Sequence, residues 1–374
     1  MIPYATQWLD DDDLAAVIDA LRSPYLTQGP LVGEFEQAVA KYCGVKYAVA
    51  LNSGTSALHA ACFAAGIKNG DEVITSPITF VASANCVLYC GGKPVFADVQ
   101  SDTVNIDPAE LAKKVNSRTT AVIPVHFNGH PVDLAEVQKI ARQHKLTVIE
   151  DAAHALGAEY QGGKIGACQY SDLTALSFHA VKHITTGEGG MVTTNDEALY
   201  QKMLLFRSHG ITRDAARLEQ KDNGPWYYEM QTLGYNYRIT DFQCALGLSQ
   251  LKKLDGFVSR RREIVMQYGQ ALAGLKGLTL PVEKPGVRSS WHLYPVRFSG
   301  DRRAIFDRLR AKGLGVNVHY LPVYLQPYYQ KLGYQAGACP QAERYYEQAI
   351  TLPLYPKMTD DDVKTVIAAV KEVL

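Results

Sequence analysis

The sequence lacks the features that mark several large classes of protein. Its 38 basic and 38 acidic residues cancel, so it has no charge excess of the kind that nucleic-acid-binding proteins carry. No apolar run approaches the roughly 18 to 20 residues of a membrane span. The first residues, MIPYATQWLDDDD, contain no basic segment followed by an apolar run and so do not read as a signal peptide. We therefore expect a cytoplasmic protein that binds neither nucleic acid nor membrane.

Cysteine is scarce and unpatterned. Seven cysteines are scattered along the chain, and no two of them form a CxxC pair. An odd, scattered set argues against a disulfide framework and against a zinc site. We predict no metal site and reduced cysteines that take no part in the chemistry, namely Cys43, Cys62, Cys86, Cys90, Cys168, Cys244 and Cys339.

Short apolar runs alternate with longer helical patterns over the first two thirds of the chain. The runs are YAVAL (47–51), EVIT (72–75), PVFADV (94–99), AVIPVHF (121–127) and LTVIE (146–150). This alternation predicts an α/β protein whose central, mostly parallel sheet is covered by helices. Two further runs, TALSF from 174 and MVTTN from 191, are joined by a segment too short for a helical crossover. They are expected to form an antiparallel pair at or within the sheet.

The character of the sequence changes after about residue 245. Helix-like sequence there leads into WHLYPVRF, a helical stretch near 302–312, VNVHY and two terminal helices. We therefore expect residues 1–245 to form a large α/β domain with an N-terminal arm, and residues 246–374 a small α+β domain. No long Gly/Ser linker separates the two, so they are expected to pack together and leave a cleft at their junction.

A carboxylate and a lysine stand out as a pair. Asp151 follows the apolar run LTVIE, and Lys182 lies in SFHAVKHITTGEGG, between an apolar run and a glycine-rich turn. Pyridoxal phosphate (PLP) needs a lysine that holds it as a Schiff base and a carboxylate that keeps its pyridine nitrogen protonated. A helix cap or a buried ion pair is the alternative for Asp151, and a surface lysine the alternative for Lys182. Together the two residues indicate a PLP enzyme.

A turn after the first strand is suited to the cofactor phosphate. In NSGTSALHAACFAAG the chain turns through Ser53 and Gly54 into a helix that begins with Thr55. Free backbone N–H groups and the positive end of the helix dipole bind anions there. A plain helix cap is the alternative reading. The hydroxyl of Ser177, five residues before Lys182, is a further donor to the same phosphate.

Two rings follow strands in positions where ligands of α/β sheets lie. Phe80, in SPITFVASAN, is placed to stack on the pyridine, and His154, three residues after Asp151, is placed to bond the phenolic oxygen of the cofactor. The alternatives are a core phenylalanine and a satisfied core histidine. Both assignments depend on the presence of Lys182.

These motifs resemble those of a known family along nearly the whole chain. The matching segments are LTQGPLVGEFEQAVAKYCGVKYAVALNSGTSAL, GDEVITSPITFVASAN, HFNGHPVD, VIEDAAHALGAEYQGGKIG, SFHAVKHITTGEGGMVTT, FRSHG, GYNYRITDFQCALGLSQL and VHYLPVY. Together they resemble the DegT-type sugar-nucleotide aminotransferases.

The resemblance implies a fold type I PLP aminotransferase, built as a homodimer with active sites at the subunit interface. It implies that Lys182 is catalytic and that Asn236 reaches the phosphate from the other subunit. It assigns cofactor contacts to Gly54, Thr55, Phe80, Asp151, His154, Ser177 and Lys182. It assigns sugar-nucleotide contacts to Tyr4, Tyr25, Leu26, Thr27, His319, Tyr320 and Leu321.

The implied reaction moves an amino group from L-glutamate, which leaves as 2-oxoglutarate, to the keto carbon of a UDP-linked 4-keto-6-deoxy amino sugar. Another nucleotide-linked 4-keto or 3-keto deoxysugar remains an alternative, since a few contacts from residues 24–28, 209–235 and 318–326 decide such preferences. Rival activities are a PLP-dependent sugar dehydratase, which Lys182 disfavours, a lyase with a reactive cysteine, and a non-catalytic sugar-nucleotide sensor. Residues 211–231 are predicted as either a mobile lid or a surface excursion.

Overall fold

Helices and short strands alternate along the chain, as the apolar runs predict. The structure is a computed structural model and describes residues 1–220 and 224–374. Its helices are α1 (Asp11–Arg22), α2 (Pro30–Cys43), α3 (Gly54–Ala64), α4 (Ala82–Tyr89), α5 (Pro108–Lys114), α6 (Leu134–His144), α7 (Glu197–Arg207), α8 (Asp241–Leu251), α9 (Leu254–Leu272), α10 (Arg302–Ala311), α11 (Pro327–Lys331), α12 (Pro340–Gln348) and α13 (Asp360–Val373). Short 3-10 turns cover Phe127–Gly129 and Val323–Leu325.

The strands are short, with two to five residues each. They are β1 (Ile2–Pro3), β2 (Tyr47–Leu51), β3 (Glu72–Thr75), β4 (Lys93–Phe96), β5 (Thr119–Ile123), β6 (Thr147–Asp151), β7 (Glu159–Tyr160), β8 (Gly163–Lys164), β9 (Leu173–Ser177), β10 (Gly190–Thr194), β11 (Ile211–Thr212), β12 (Glu229–Met230), β13 (Leu278–Thr279), β14 (Val287–Arg288), β15 (Tyr294–Phe298), β16 (Leu314–Gly315) and β17 (Ala349–Leu352).

A seven-stranded sheet forms the centre of the larger part. Its order is β2-β10-β9-β6-β5-β3-β4, and β10 runs in the opposite direction to the other six strands. The pair β9 and β10 confirms the antiparallel pair that the short connection predicts. The α/β class with a mostly parallel sheet is likewise confirmed.

Both faces of this sheet are buried. Alternate side chains of β2 show the arrangement, since Ala50 belongs to one apolar layer and Val49 to the other. Helix α2 covers the first layer through Phe35, and α3 covers the second through Leu58. A sheet buried on both sides reads as continuous apolar runs, which is why the strands were visible in the sequence.

A second, smaller sheet lies in the C-terminal part. Strands β13, β15 and β17 are antiparallel, with β15 in the middle, and they share an apolar core with α9, α10 and α13. Helix α8 runs through residue 245, and α9 gives Leu254 to the large core and Ile264 to the small one. A division into 1–245 and 246–374 remains our proposal. The first residues of the chain reach the C-terminal part, because β1 pairs in parallel with β16.

The structure can be compared with the expectations about membrane spans, metal sites and residues 211–231. In the described part of the chain, no helix has the length and apolarity to cross a membrane, and no cluster of His, Cys, Asp or Glu is placed to hold a metal. Strands β11 and β12 pair within residues 211–231, and Trp226 there is 76% exposed. Residues 221–223 of that segment lie outside the described residues, and the choice between lid and surface excursion stays a prediction.

Candidate active site

A cavity of about 740 Å³ opens where the parallel strands end. Because the carboxyl ends of parallel strands meet at one edge of a sheet, residues far apart in sequence come together there. The cavity brings together eleven of the predicted site residues, namely Tyr4, Gly54, Thr55, Phe80, Asp151, His154, Ser177, Lys182, His319, Tyr320 and Leu321. We call residues 53–55, 151–154, 177 and 182 the sheet-edge wall. Residues 292–293 and 317–321 form the C-terminal wall.

Asp151 is the last residue of β6 and is buried. Its Oδ2 accepts a hydrogen bond from Oγ of Ser83 at 2.5 Å, and its Oδ1 accepts one from the backbone N–H of Ala153 at 3.1 Å. Both donors are neutral, and within the described residues Asp151 forms no ion pair. A buried carboxylate that lacks an ion pair is costly, so the site is suited to a ligand that brings a positive N–H group.

Lys182 projects from the loop between β9 and β10 and lines the cavity. The loop is held at its base, where the N–H of Phe178 donates to the carbonyl of Gly189 at 2.8 Å. Burial lowers the pKa of the Lys182 amine from 10.5 to about 8; nearby Asp151 opposes that shift and Arg261 adds to it. A lysine with a lowered pKa has more of the neutral amine that attacks carbonyl carbon.

The turn before α3 forms the floor of the sheet-edge wall. Ser53 caps α3 by a reciprocal pair of bonds with Ser56, which leaves the first helical N–H groups of Gly54 and Thr55 at the cavity. A Cβ on Gly54 would lie 2.9 Å from Cβ of Ser177. Glycine therefore allows the turn to approach β9 closely. The result is a cradle of backbone donors and a serine hydroxyl at a helix N-terminus, which is a suitable site for phosphate.

Aromatic rings line the mouth of the cavity. Phe80 is 58% exposed, which is unusual for a phenylalanine, and its ring centroid is 6.5 Å from that of Tyr320. The ring of Tyr4 lies 5.3 Å from that of His319. Aromatic rings that face a cavity provide stacking surfaces for a planar ligand or a sugar face.

Several imidazoles crowd the junction of the two walls. The rings of His154 and His292 are 4.4 Å apart, and those of His183 and His292 are 5.5 Å apart. Burial, together with the positive charge of Lys182 and Arg261 nearby, lowers the pKa of His183 and His292 well below the ordinary range; burial and Lys182 do the same for His154. These imidazoles are therefore neutral near pH 7. The Nδ1 atoms of His154 and His292 have no hydrogen-bond partner among the described residues.

Four predicted residues lie away from this cavity. Tyr25 lines a second cavity of about 970 Å³ between α1, α2 and α8, Leu26 accepts a hydrogen bond from Asp241, and Thr27 pairs with Thr240. Asn236 is exposed and pairs with Ser208. Within a single chain these four residues do not join the eleven others. Their roles, and those of the eleven, remain proposals.

Sequence reasoning missed two residues at the centre of the site. Ser83 lies in the segment SPITFVASAN, and its hydroxyl bonds Asp151. Nε2 of His292, in WHLYPVRF, lies 3.5 Å from Nζ of Lys182. A serine in the first turn of α4 carries no distinctive local signal, and His292 follows Lys182 by 110 residues.

The chain is similar to known proteins along its whole length. Residues 7–371 match the model of the DegT/DnrJ/EryC1/StrS aminotransferase family. The chain belongs to this family. It is 42% identical to the spore coat polysaccharide biosynthesis protein SpsC of Bacillus subtilis, over all of this chain and 97% of that one. It is 40% identical to the UDP-4-amino-4,6-dideoxy-N-acetyl-β-L-altrosamine transaminase of Campylobacter jejuni, over 98% and 96% of the two chains.

Solved structures agree with this assignment. The fold superimposes on PseC of Helicobacter pylori, an aminotransferase involved in the biosynthesis of pseudaminic acid, with a TM-score of 0.92, 37% identity and coverage of 100% and 98%. A sugar aminotransferase of Streptococcus pneumoniae in its PMP form gives a TM-score of 0.93 at 31% identity, with coverage of 100% and 97%. This protein is therefore a PLP-dependent sugar aminotransferase with a fold type I architecture.

The described residues fit PLP. Asp151 is a buried carboxylate without an ion pair among these residues, the Gly54 turn presents backbone N–H groups at the cavity, and Lys182 provides an amine of lowered pKa there. When bound, PLP supplies an electron sink that makes the carbon next to an amino group acidic. The three groups would hold the ring nitrogen, the phosphate and the carbonyl carbon of the cofactor, respectively.

Proposed function

We propose that this protein transfers the amino group of L-glutamate to C4 of a UDP-linked 4-keto-6-deoxy-N-acetylhexosamine. The product would be UDP-4-amino-4,6-dideoxy-N-acetyl-β-L-altrosamine, a precursor in pseudaminic acid biosynthesis. The observation that carries this proposal is the similarity to the Campylobacter jejuni transaminase over 98% of the chain, together with a cavity that unites Lys182 and Asp151 with polar and aromatic side chains. The unpaired cysteines favour a reducing, cytoplasmic setting.

Lys182 moves the proton in both halves of the proposed reaction. Its Nζ, as a neutral amine, takes the proton from Cα of glutamate; water then supplies the keto oxygen of 2-oxoglutarate, which leaves while the amino group stays with the bound cofactor. In the second half the keto oxygen of the sugar leaves as water and Nζ returns a proton to C4, so that this carbon gains both nitrogen and hydrogen. A pKa of about 8 leaves a useful fraction of Nζ neutral near pH 7 to 8 while keeping it basic enough for the task.

Other residues of the site would hold the reactants in place. Asp151 would face the ring nitrogen, His154 the phenolic oxygen, and Gly54, Thr55 and Ser177 the phosphate. Phe80 would stack on the ring. Tyr4, Tyr25, Leu26, Thr27, His319, Tyr320 and Leu321 are proposed to contact the sugar nucleotide.

A second candidate is an aminotransferase that acts on another nucleotide-linked keto sugar. The spore coat polysaccharide protein SpsC is 42% identical to this chain, slightly above the altrosamine transaminase, and its name does not specify a sugar. The two candidates share the same catalytic groups. They differ in the sugar contacts alone, each worth about 1 to 3 kcal/mol.

Absorbance of the purified protein tests both candidates. L-glutamate is added first, and UDP-linked 4-keto-6-deoxy sugars then follow one epimer at a time. The cofactor band should shift with glutamate and return with the proposed sugar epimer, but the Lys182→Ala variant should show no such cycle. Return of the band with a different keto sugar would favour the second candidate. A cofactor band that glutamate leaves unchanged would refute the proposed amino donor.

We propose in addition that the protein is a homodimer with shared sites. Asn236 is exposed and away from its own cavity, which suits a residue that reaches the phosphate of the partner. Mixing the Lys182→Ala and Asn236→Ala variants tests this arrangement, because a mixed dimer has one site with both native residues. Random re-association should restore about a quarter of wild-type turnover. If activity stays at the level of the two variants, each site is built from a single chain.

A further inference from the structure

His292 stands directly beside the catalytic lysine. Its Nε2 lies 3.5 Å from Nζ of Lys182, and its ring is buried at the back of the cavity. The two residues come from different parts of the chain, since Lys182 belongs to the loop between β9 and β10 and His292 precedes β15 of the smaller sheet. This contact joins the two walls of the cavity at the reacting amine.

The backbone around His292 is fixed from several directions. Arg261 donates to the carbonyls of Trp291 and His292 at 3.3 and 3.2 Å, and the N–H of His292 donates to the carbonyl of Asn128 at 2.7 Å. Trp291 adopts φ of 50°, in a left-handed region that bulky residues rarely enter. Strained backbone of this kind persists where the surrounding structure enforces it, and it clusters at functional sites.

A glycine in the 3-10 turn that follows β5 makes this packing possible. A Cβ on Gly129 would lie 2.8 Å from the backbone nitrogen of Trp291 and 2.9 Å from that of His292. Gly129 itself has φ of 95°. The close approach of residues 128–129 and 291–292 therefore depends on glycine. These constraints together fix the backbone that carries the imidazole.

The surroundings of His292 determine its hydrogen-bonding role. Lys182, His154, His183 and Arg261 surround it, and burial, together with the positive charge of Lys182 and Arg261, lowers its pKa well below the ordinary range. A neutral imidazole carries one proton, so one ring nitrogen is an acceptor. An amine has a proton to donate whether it is charged or neutral, so the contact is made when Nε2 is the acceptor and Nδ1, which has no partner among the described residues, carries the proton.

We propose that His292 is a positioning residue for the aminotransferase reaction, whose Nε2 accepts a hydrogen bond from Nζ of Lys182 whenever that amine is free. A lysine side chain is a flexible four-carbon stem, and a fixed acceptor limits the directions in which Nζ lies. The bond would hold the amine toward the cavity between the two halves of the reaction. It would also favour the charged form of Lys182, and so oppose the effect of burial.

The first test measures the proton affinity of Lys182 without any turnover. The full-length protein is freed of PLP, and the labelling of Lys182 by acetic anhydride is followed against pH by mass spectrometry. In His292→Phe the acceptor is lost while a ring is kept, so the labelling midpoint should fall by about one pH unit. In His292→Gln an acceptor oxygen remains, and the midpoint should stay close to that of the wild type.

His183 provides a matched control. It is also buried, its pKa is also lowered well below the ordinary range, and it is the neighbour of Lys182 in sequence, but its Nε2 contacts the carbonyl of Ser290 at 3.1 Å. His183→Phe removes an imidazole from the same cluster without removing the lysine contact. Its labelling midpoint should therefore move less than that of His292→Phe. Other groups facing Lys182 are unchanged in both variants, namely Asp151, His154, Arg261 and His319.

The second test follows the reaction with L-glutamate in the PLP-loaded protein, and it rests on the proposed amino donor. His292→Phe should lower the maximal rate of the cofactor absorbance change by about tenfold with little change in the half-saturating glutamate concentration, because the lost bond orients the base and not the substrate. His292→Gln should recover most of that rate.

Three results would overturn the role of His292. They are a His292→Phe midpoint and rate equal to those of the wild type, changes equal to those of His183→Phe, or a His292→Gln variant that behaves like His292→Phe. Thermal melting of each variant separates these results from loss of fold, and His292→Gln keeps the test open if His292→Phe does not fold. If wild-type protein fails to react with glutamate while the labelling shifts appear, the proposed donor is wrong and the role of His292 stands.

Discussion

The two walls of the cavity are built in different ways. The sheet-edge wall uses residues at or just after strand ends, with Asp151 closing β6, Ser177 closing β9 and Gly54 three residues beyond β2. The C-terminal wall uses loops whose positions depend on distant groups, as His292 depends on Arg261 and on Asn128. One wall is determined mainly by local sequence and the sheet, and the other by packing between parts of the chain.

The strongest effect is expected from crowding the sheet-edge wall where the turn at Gly54 meets β9. In Gly54→Ala the new Cβ would lie 2.9 Å from Cβ of Ser177, so the turn or β9 must move. Hydrogen bonds to a charged phosphate contribute about 1.5 to 3 kcal/mol each, so displacing the turn should weaken PLP binding by about tenfold to a hundredfold. Titration of the PLP-free protein with PLP measures this loss.

Gly256→Ala is the matched control for Gly54→Ala. Gly256 lies in helix α9, and a Cβ added there would have no atom within 4 Å, so alanine should leave PLP affinity unchanged. Alanine in a helix is more favourable than glycine by roughly 0.5 to 1 kcal/mol, so this control should also be slightly more stable. Equal PLP affinity in the two variants would contradict the prediction that the turn at Gly54 binds the phosphate of PLP.

The next largest effect is expected where the C-terminal wall packs against Gly129. Gly129→Ala combines a positive φ with contacts of 2.8 Å to the carbonyl oxygen of His154 and to the backbone nitrogen of Trp291. We expect a loss of about 2 kcal/mol or more in the free energy of unfolding. Chemical denaturation measures the loss.

Gly162→Ala separates strain from steric overlap in this prediction. Gly162 has φ of +81° but no atom within 4 Å of its Cβ position, so its alanine variant reports the backbone strain alone, about 1 kcal/mol. A Gly129→Ala variant no less stable than Gly162→Ala would mean that the loop of residues 289–293 does not depend on the close approach.

A smaller effect is expected from removing the hydrogen bond that Ser83 donates to Asp151 in the sheet-edge wall. Ser83→Ala removes a hydrogen bond to Asp151 and should lower turnover by about tenfold, because a bond to a charged group contributes about 1.5 to 3 kcal/mol and Asp151 keeps its bond from Ala153. Ser76→Ala removes another buried hydroxyl nearby, one that bonds the backbone of Ile78 and not Asp151. Steady-state kinetics of the two variants should differ; equal turnover would exclude Ser83 as a support of Asp151.

The smallest effect concerns pH and uses the PLP-free protein. The pKa of Lys182 falls from 10.5 in the unfolded chain to about 8 in the fold, so between those values the unfolded chain binds more protons. Stability should therefore rise with pH through this window, by less than about 1.4 kcal/mol per pH unit since Lys182 is partly exposed. Denaturation of wild type and Lys182→Met at several pH values isolates the contribution. An unchanged pH dependence in the variant would show that the lysine is well solvated.

The sheet and the sheet-edge wall could largely be predicted from the sequence. Strands buried on both faces stand out as apolar runs, and a residue such as Asp151 at the end of a run is placed by that run. The same logic placed Gly54 and Ser177 beside one another. Local pattern was sufficient because the geometry of a parallel sheet supplies the long-range part of the argument.

The C-terminal wall could not be predicted in this way. His319, Tyr320 and Leu321 were identified through the family resemblance and not through any periodicity, and they line the cavity from a segment without regular structure. His292 was missed because its position follows from Arg261, Gly129 and the left-handed Trp291. None of these dependencies has a short-range signature. The pairing of β1 with β16 was missed for the same reason.

That pairing has a practical consequence for anyone who recombines this enzyme with a relative to alter its sugar preference. The strand Ile2–Pro3 lies against Leu314–Gly315, and the carbonyl of Tyr4 accepts a bond from Leu354. A single crossover near residue 245 would therefore combine the first residues of one parent with the C-terminal part of the other. The contacts between these two segments, which lie beside the cavity, would then come from different parents. Chimeras should inherit residues 1–4 and the C-terminal part from the same parent.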